Sequence, residues 1–239
     1  AALSVGLSHA LNARGVQAEA MLGFSLGQIS ALMASGALSD EDGFALLDVR
    51  ARSMAQACEE RPGAMYALLG AAHEDAQGIC DECAQDEILV CANFNAPGQV
   101  VVSGDVAAIE RAEKAWQALG KRGARLNTAG AFHSPLMASA SKAVREKCSE
   151  LSWKQPAVPV ICNTDAQVFD VDQAADRLAR QVVSPVHFEQ SVQALIRQGA
   201  ARFVEVGYGA VLNGLVRRID KRAGRVRVGT LDEWNAFVS

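Results

Sequence analysis

Residues 18–36 read AEAMLGFSLGQISALMASG, and the reading of this stretch decides the fold. Positions 18–23 form a short, largely apolar run that suits a buried strand. From position 26 the apolar residues Leu26, Ile29, Leu32 and Met33 recur at helical spacing, and Gly36 ends the run. Between them lies Gly23-Phe24-Ser25-Leu26-Gly27, a Gly-x-Ser-x-Gly sequence. Alone, such a match is weak. Between a strand and a helix it stands in the context the motif requires. The glycines let the chain turn sharply and let neighbouring elements approach closely, and the turn lifts the serine hydroxyl above the sheet edge. The backbone N–H of Leu26 then lies at a helix N-terminus, where it can donate to a developing oxyanion. Ser25 is a candidate nucleophile on this reading. The plain alternative is a helix start with Ser25 as a simple N-cap.

Upstream, residues 3–13 read as a helix that stops near Gly15. The opening AALSVGLSHALNARG reads at once as the middle of an amphipathic helix, with no initiator Met and no opening strand, so the first residues look like an internal cut. Downstream, Ser39 and Asp42 form a capping box for a long helix ending before Pro62-Gly63. From Gly63 the rhythm changes. AMYALLG, EILVCAN, QVVVSG and RGARLN read as strands, with helices at 73–84 and 105–120 and a turn at Asn95-Ala96-Pro97-Gly98. That βαββαβ order is ferredoxin-like, and 63–127 is expected to be a small inserted subdomain. After it come a helix at 134–150, a strand VPVICN (158–163), helices at 171–183 and 188–198, a strand ARFVEVG and a helix at 210–219. Strands alternating with helices imply an α/β class with a mostly parallel sheet covered on both faces.

The chain has 239 residues, half of them hydrophobic and 21% charged, enough to bury a sizeable core. Its net charge of -4 gives no sign of the basic face that nucleic-acid binding needs. The six cysteines (Cys58, Cys80, Cys83, Cys91, Cys148 and Cys162) offer only one close pair, Cys80 and Cys83. No second pair or histidines at matching spacing accompany it, so no metal site is expected and the thiols read as reduced. No apolar run is long enough to span a bilayer, and no signal peptide is apparent. A cytoplasmic protein is the expectation.

The wider sequence resembles the malonyl-CoA:acyl carrier protein transacylases and the acyltransferase domains related to them. GFSLGQISALMASGALS (23–39) is similar to the family's serine segment. VRARSM (49–54) resembles its R-G-x-x-M helix segment, and NFNAPGQVVVSG (93–104) its N-x-P-x-Q-x-V-x-S-G hairpin. GAFHSPLM (130–137) resembles the segment holding the catalytic His, RQVVSPVHF (180–188) its Q-x-x-x-P-V segment, and FVEVGYGAVLNGL (203–215) its E-x-G-P-x-x-x-L segment. Six blocks in the right order are far more specific than any one of them. Three departures stand out. Phe24 replaces the usual His before the serine, Gln28 replaces the usual Glu after the second glycine, and the family's opening strand and G-Q-G-x-Q loop are not present. The resemblance is thus to an N-terminally truncated member. It implies an α/β-hydrolase-like sheet formed by 1–62 and 128–239, its first strand missing, with the ferredoxin-like insert at 63–127.

The resemblance also implies roles. His133 becomes the base that takes the Ser25 proton and returns it to the leaving thiol. His9 and His73 read as solvated helix residues, and His187 as one that packs or faces water. Gln181 matches the position whose backbone carbonyl orients the catalytic His; it could equally be a satisfied polar helix residue. Arg50 would hold the free malonyl carboxylate bidentately, with Met54 on the same helix face; an ordinary surface ion pair is the alternative. Phe132, in an Ala-Phe-His context, favours malonyl over methylmalonyl units by filling the space of an α-methyl group. Phe24 and Asn95 are further candidate substrate contacts. The basic residues Arg217, Arg218, Lys221 and Arg222 could steer an acidic acyl carrier protein, or simply form a solvated helix end.

The implied reaction is transfer of a malonyl group from malonyl-CoA to the phosphopantetheine thiol of the carrier protein, for fatty acid or polyketide synthesis. It proceeds through a malonyl-serine and needs no cofactor. A monomer is expected. Two rivals stay open. A serine hydrolase such as a thioesterase would use the order Ser25, Asp165, His187. An inactive, truncated homologue would only bind carrier protein. With one oxyanion donor and the first strand missing, the chain is expected to be a poor catalyst.

Overall fold

The Gly-flanked serine stretch folds as strand, tight turn and helix, and the surrounding elements hold that turn in place. The computed structural model describes residues 1–239. Helix α1 (Ala2–Ala13) leads to β1 (Met21–Leu22), α2 (Gly27–Ala34) and the long α3 (Asp40–Glu60). Ser39 caps α3 by accepting the Asp42 N–H at 3.1 Å, three acidic residues occupy its first turn, and Pro62 follows its end. α3 buries Leu46, Leu47, Arg50, Met54, Ala57 and Cys58 on one face.

The next segment comprises β2 (Gly63–Leu69), α4 (His73–Ala84), β3 (Leu89–Ala96), β4 (Gln99–Asp105), α5 (Val106–Ala118) and β5 (Gly123–Arg125). Its four strands form one antiparallel sheet in the order β3-β4-β2-β5. Side chains alternate along β2. Tyr66 and Leu68 join Ile79, Ile109 and Trp116 in a core under the two helices, while Met65 and Ala67 face the opposite side with Ala92 and Val101. Pro97 and Gly98 alone connect β3 to β4, Gly98 supplying the positive φ of 74°. Asn95 therefore lies inside the strand rather than in a four-residue turn. Register shifts between Cys91 and Asn93 and between Phe94 and Ala96 bend this end of β3. The bend brings it to the rest of the chain, where Phe94 N–H donates to Val186 O and Val186 N–H to Ala92 O, both at 2.9 Å.

The chain then makes a 3-10 turn at Pro135–Met137, followed by α6 (Ala138–Glu150), β6 (Val160–Ile161), α7 (Ala174–Val183), α8 (Phe188–Arg197), β7 (Arg202–Val206), α9 (Val211–Ile219), β8 (Gly224–Val228) and α10 (Leu231–Val238). Parallel pairing falls in two ribbons, β1 with β6 and β7 with β8. Both strands of the first ribbon are shorter than the apolar runs that contain them. β8 and α10 were not anticipated. In Gly224–Val228 the valines alternate with arginines, a half-buried strand pattern that the basic charges mask. The main core is a cluster of 25 buried residues drawn from α1, α2, α3, α6, α7 and their connections. Phe132 packs against both this cluster and the outer face of the four-stranded sheet.

Candidate active site

The turn after β1 is built around Gly23. A side-chain carbon at this position would overlap the backbone of Gly27 and Gln28, so the chain can close the turn only with glycine. Gly27 is different: a carbon there would meet nothing within 4 Å. The turn closes through Gly27 N–H to Phe24 O at 2.9 Å and Gln28 N–H to Ser25 O at 3.0 Å. Ser25 has φ +51°, a left-handed conformation unfavourable for a side-chain-bearing residue. The Leu26 N–H, at the start of α2, takes part in none of these turn bonds.

The structure brings His133 to Ser25. Its Nε2 lies 2.8 Å from Ser25 Oγ, and its Nδ1 lies 2.9 Å from Gln181 O. A carbonyl can only accept, so Nδ1 carries the proton and Nε2 is free to accept from the serine hydroxyl. His133 also has a positive φ, +59°, so two of the four non-glycine residues of this kind form this pair. The imidazole is 3% exposed. Burial, and then the nearby Arg50 charge, lower its pKa from 6.5 to about 4, against the opposing pull of the Gln181 and Ser184 carbonyls. It is therefore neutral, and able to act as a base, at physiological pH.

Arg50 reaches the same point from α3, where its Nη2 donates to Ser25 Oγ at 3.0 Å. That bond leaves the serine O–H to point at His133. The guanidinium is 6% exposed and no carboxylate pairs with it; its Nε has no partner at all. Desolvation lowers its pKa to about 10. Arg52, two positions on, is exposed and pairs with Asp48 at 2.8 Å. A buried cation without a counter-ion is costly, and this one sits beside the candidate nucleophile.

Other sequence candidates take varied places. Met54 is buried in the main core. The Phe24 ring packs edge-on against Phe188, centroids 5.5 Å apart, in a smaller cluster with Val186 and Leu215. Asn95 is buried with its Oδ1 unpartnered. Arg217, Arg218, Lys221 and Arg222 are all exposed at the end of α9; Arg218 donates to Gln99 Oε1 at 2.9 Å. The hydrolase order is not assembled, because Asp165 pairs with Arg177 at 3.2 Å and the His187 ring stacks on Phe94. The six cysteines are unbonded and buried, and no cluster of three or more His, Cys, Asp or Glu side chains is arranged as metal ligands would be. No helix is long and apolar enough to cross a membrane.

Beside Ser25 stand Asn163, which no sequence signal points to, and Gln28, the residue in place of the family's Glu. The Asn163 side chain accepts the Ser25 N–H at 2.8 Å and donates to Gly23 O at 2.6 Å. Gln28 Oε1 accepts the Asn163 N–H at 2.8 Å and Gln181 Nε2 at 3.0 Å. Nothing local marks Asn163, which lies 138 positions from Ser25. A cavity of about 320 Å³ opens next to His133, lined also by Gln77, Cys91, Phe94 and Pro185. A larger groove of about 660 Å³, between β8 and α10, contains none of these residues.

The acyl transferase domain family matches residues 1–231. A malonyl CoA-acyl carrier protein transacylase of Bacillus subtilis is 36% identical over 228 residues, covering 94% of this chain and 72% of that protein. One from Escherichia coli is 36% identical over 219 residues, covering 90% and 71%. The crystal structure of a malonyl-CoA:acyl carrier protein transacylase from Xanthomonas oryzae superposes with a TM-score of 0.96 at 37% identity, covering 99% of this chain and 76% of that one. A malonyl-transacylase solved in complex with a type II polyketide acyl-carrier protein gives 0.95 at 31% identity, covering 99% and 78%.

Proposed function

The chain belongs to the acyl transferase family, with the malonyl-CoA:acyl carrier protein transacylases, and from that premise we propose how its residues carry a malonyl group between thiols. Ser25 Oγ attacks the thioester carbonyl of malonyl-CoA while His133 Nε2 takes its proton. The tetrahedral oxyanion is held by the Leu26 N–H. Its collapse expels the CoA sulfur, which leaves with the proton from His133. In the second half the phosphopantetheine thiol of the acyl carrier protein gives its proton to His133 and attacks the malonyl-serine. Collapse frees the carrier thioester and returns the proton to Ser25 Oγ. The Gln181 carbonyl keeps the imidazole in the required tautomer. No cofactor enters these steps. Phe132, Met54, Phe24 and Asn95 are assigned to the walls around the substrate, and the cavity beside His133 suits the thioester arm.

The observation that carries this reading is Arg50. A buried guanidinium, without a carboxylate partner and 3.0 Å from the nucleophile, calls for an anionic acyl group. The malonyl carboxylate would complete the ion pair that the protein leaves open. The decisive experiment is intact mass after mixing with malonyl-CoA. One malonyl group is expected on the native chain and none on Ser25→Ala; an adduct that survives this substitution removes Ser25 from the role.

We assign residues 63–127 to a small subdomain and the rest to the catalytic one, in a monomeric, cytoplasmic enzyme. The exposed Arg217, Arg218, Lys221 and Arg222 are assigned to docking of the acidic carrier protein. Arg217→Glu with Lys221→Glu is expected to raise KM for the carrier protein, most at low salt, and to leave transfer to free pantetheine unchanged. An unchanged KM for the carrier would move its dock elsewhere.

A further inference from the structure

We propose that Asn163 is a positioning residue for acyl transfer, its side-chain amide holding the serine turn in its reactive conformation. The inference rests on Ser25 being the nucleophile and concerns what keeps it poised.

The register of β1 and β6 supplies the starting point. Met21 pairs with Val160 and Leu22 with Ile161 as parallel neighbours, and both strands then end. In a parallel ladder, a residue's neighbour bonds the peptides on either side of it, one through C=O and one through N–H. Beyond Leu22 no such backbone partner continues, because the chain turns at Gly23. The Asn163 carboxamide takes that place. It donates from Nδ2 to Gly23 O at 2.6 Å and accepts at Oδ1 from Ser25 N–H at 2.8 Å, straddling Phe24 as a strand peptide would. The orientation of the amide is fixed by chemistry, since reversing it would set acceptor against acceptor and donor against donor.

Asn163 is itself held. It is fully buried, and its N–H is bound by Gln28 Oε1 at 2.8 Å. Gln181 Nε2 lies within 3.2 Å of Ser25 O, Gln28 Oε1 and Asn163 Oδ1. Two carboxamides therefore grip the Ser25 backbone, Asn163 at its N–H and Gln181 at its C=O, and Gln28 links the two, while the Gln181 carbonyl fixes His133. All three are neutral. The network stabilises the left-handed Ser25, a conformation unfavourable for a side-chain-bearing residue, without placing a carboxylate beside His133.

The test uses single-turnover acylation by malonyl-CoA, followed as malonyl-Ser25 by mass, with KM and thermal melting measured alongside. Asn163→Ala is expected to slow acylation by about 10²-fold with KM within roughly threefold, because it misplaces the nucleophile and not the substrate. Asn163→Asp serves as the conservative variant. Its buried carboxyl can make both bonds only when protonated, so acylation relative to the native enzyme is expected to recover as pH falls from 8 to 5, whereas Asn163→Ala shows no such recovery. Asn163→Ala acylating within threefold of native would overturn the proposal. So would Asn163→Asp tracking Asn163→Ala at every pH, or losses confined to melting temperature. If the native chain itself forms no malonyl-serine, it is the assignment of Ser25 that fails.

Discussion

At the scale of single residues the site is organised by what Arg50 lacks. Ion pairs at the surface, such as Arg52 with Asp48, add little to stability. Arg50 has no such partner and points instead at Ser25 Oγ. Two consequences follow for Arg50→Ala. A bidentate carboxylate contact is two charge-assisted bonds of about 1.5–3 kcal/mol each, so kcat/KM for malonyl-CoA is expected to fall by roughly 10²–10⁴-fold. Acetyl-CoA, with no carboxylate, is expected to lose far less; equal losses would show that Arg50 does not read the acyl group. The second consequence concerns His133, whose pKa the Arg50 charge helps to lower. Removing that charge is expected to move the acid limb of the kcat/KM profile of the residual activity to higher pH.

Among the elements, the turn between β1 and α2 is the one that sequence and geometry constrain most tightly. The two glycines of the motif are unequal. At Gly23 an added carbon would strike backbone atoms of Gly27 and Gln28, which have nowhere to move, whereas at Gly27 the same carbon meets open space. Gly23→Ala is therefore expected to abolish malonyl-serine formation and to lower the melting temperature. Gly27→Ala, at the first residue of α2, is expected to leave stability unchanged or raised by about 0.4–1 kcal/mol, since alanine reduces the freedom of the unfolded chain. Chemical denaturation of the two variants checks the pair. A Gly23→Ala enzyme as stable and active as its Gly27→Ala counterpart would contradict the geometry.

For the molecule as a whole, the site lies where separate cores meet. Phe132 joins the 25-residue core to the sheet's outer face, and the Phe94–Val186 bonds tie the bent end of β3 to the segment after α7. Burial at this junction has a price in pH dependence. His133 is neutral when folded down to about pH 4 but titrates near 6.5 when unfolded. Between these values the unfolded chain binds the extra proton, so stability is lost as pH falls from about 6.5 to 4, with a limiting slope of about 1.4 kcal/mol per pH unit. Half-buried His187, also lowered by burial, adds in the same direction. Urea unfolding at pH 7 and pH 5 is expected to show this loss, and His133→Gln to reduce it. An unreduced slope would place the responsible proton elsewhere.

Much of this was legible one residue at a time. The Gly-Phe-Ser-Leu-Gly turn, the Ser39 cap of α3 and the alternation along β2 and β4 are local signals, and local signals set where helices, strands and turns form. α10 could have been read as well, because Thr230 accepts the Glu233 N–H and Glu233 the Gly229 N–H, a capping pattern written in Thr-Leu-Asp-Glu. β8 was hidden by arginines that alternate with its valines. The sequence alone thus determined the candidate nucleophile, the order of the elements as far as α9 and the residue types available to it. Tertiary structure decided that Arg50 would be buried without a counter-ion and that Phe24 would pack on Phe188. It also set the proton of His133 on Nδ1 and brought Asn163 to take over the ladder bonds of β1. The reason is physical. Periodicity and capping act within a few residues, whereas hydrogen bonds and desolvation depend on which groups folding brings together, here from positions more than a hundred residues apart.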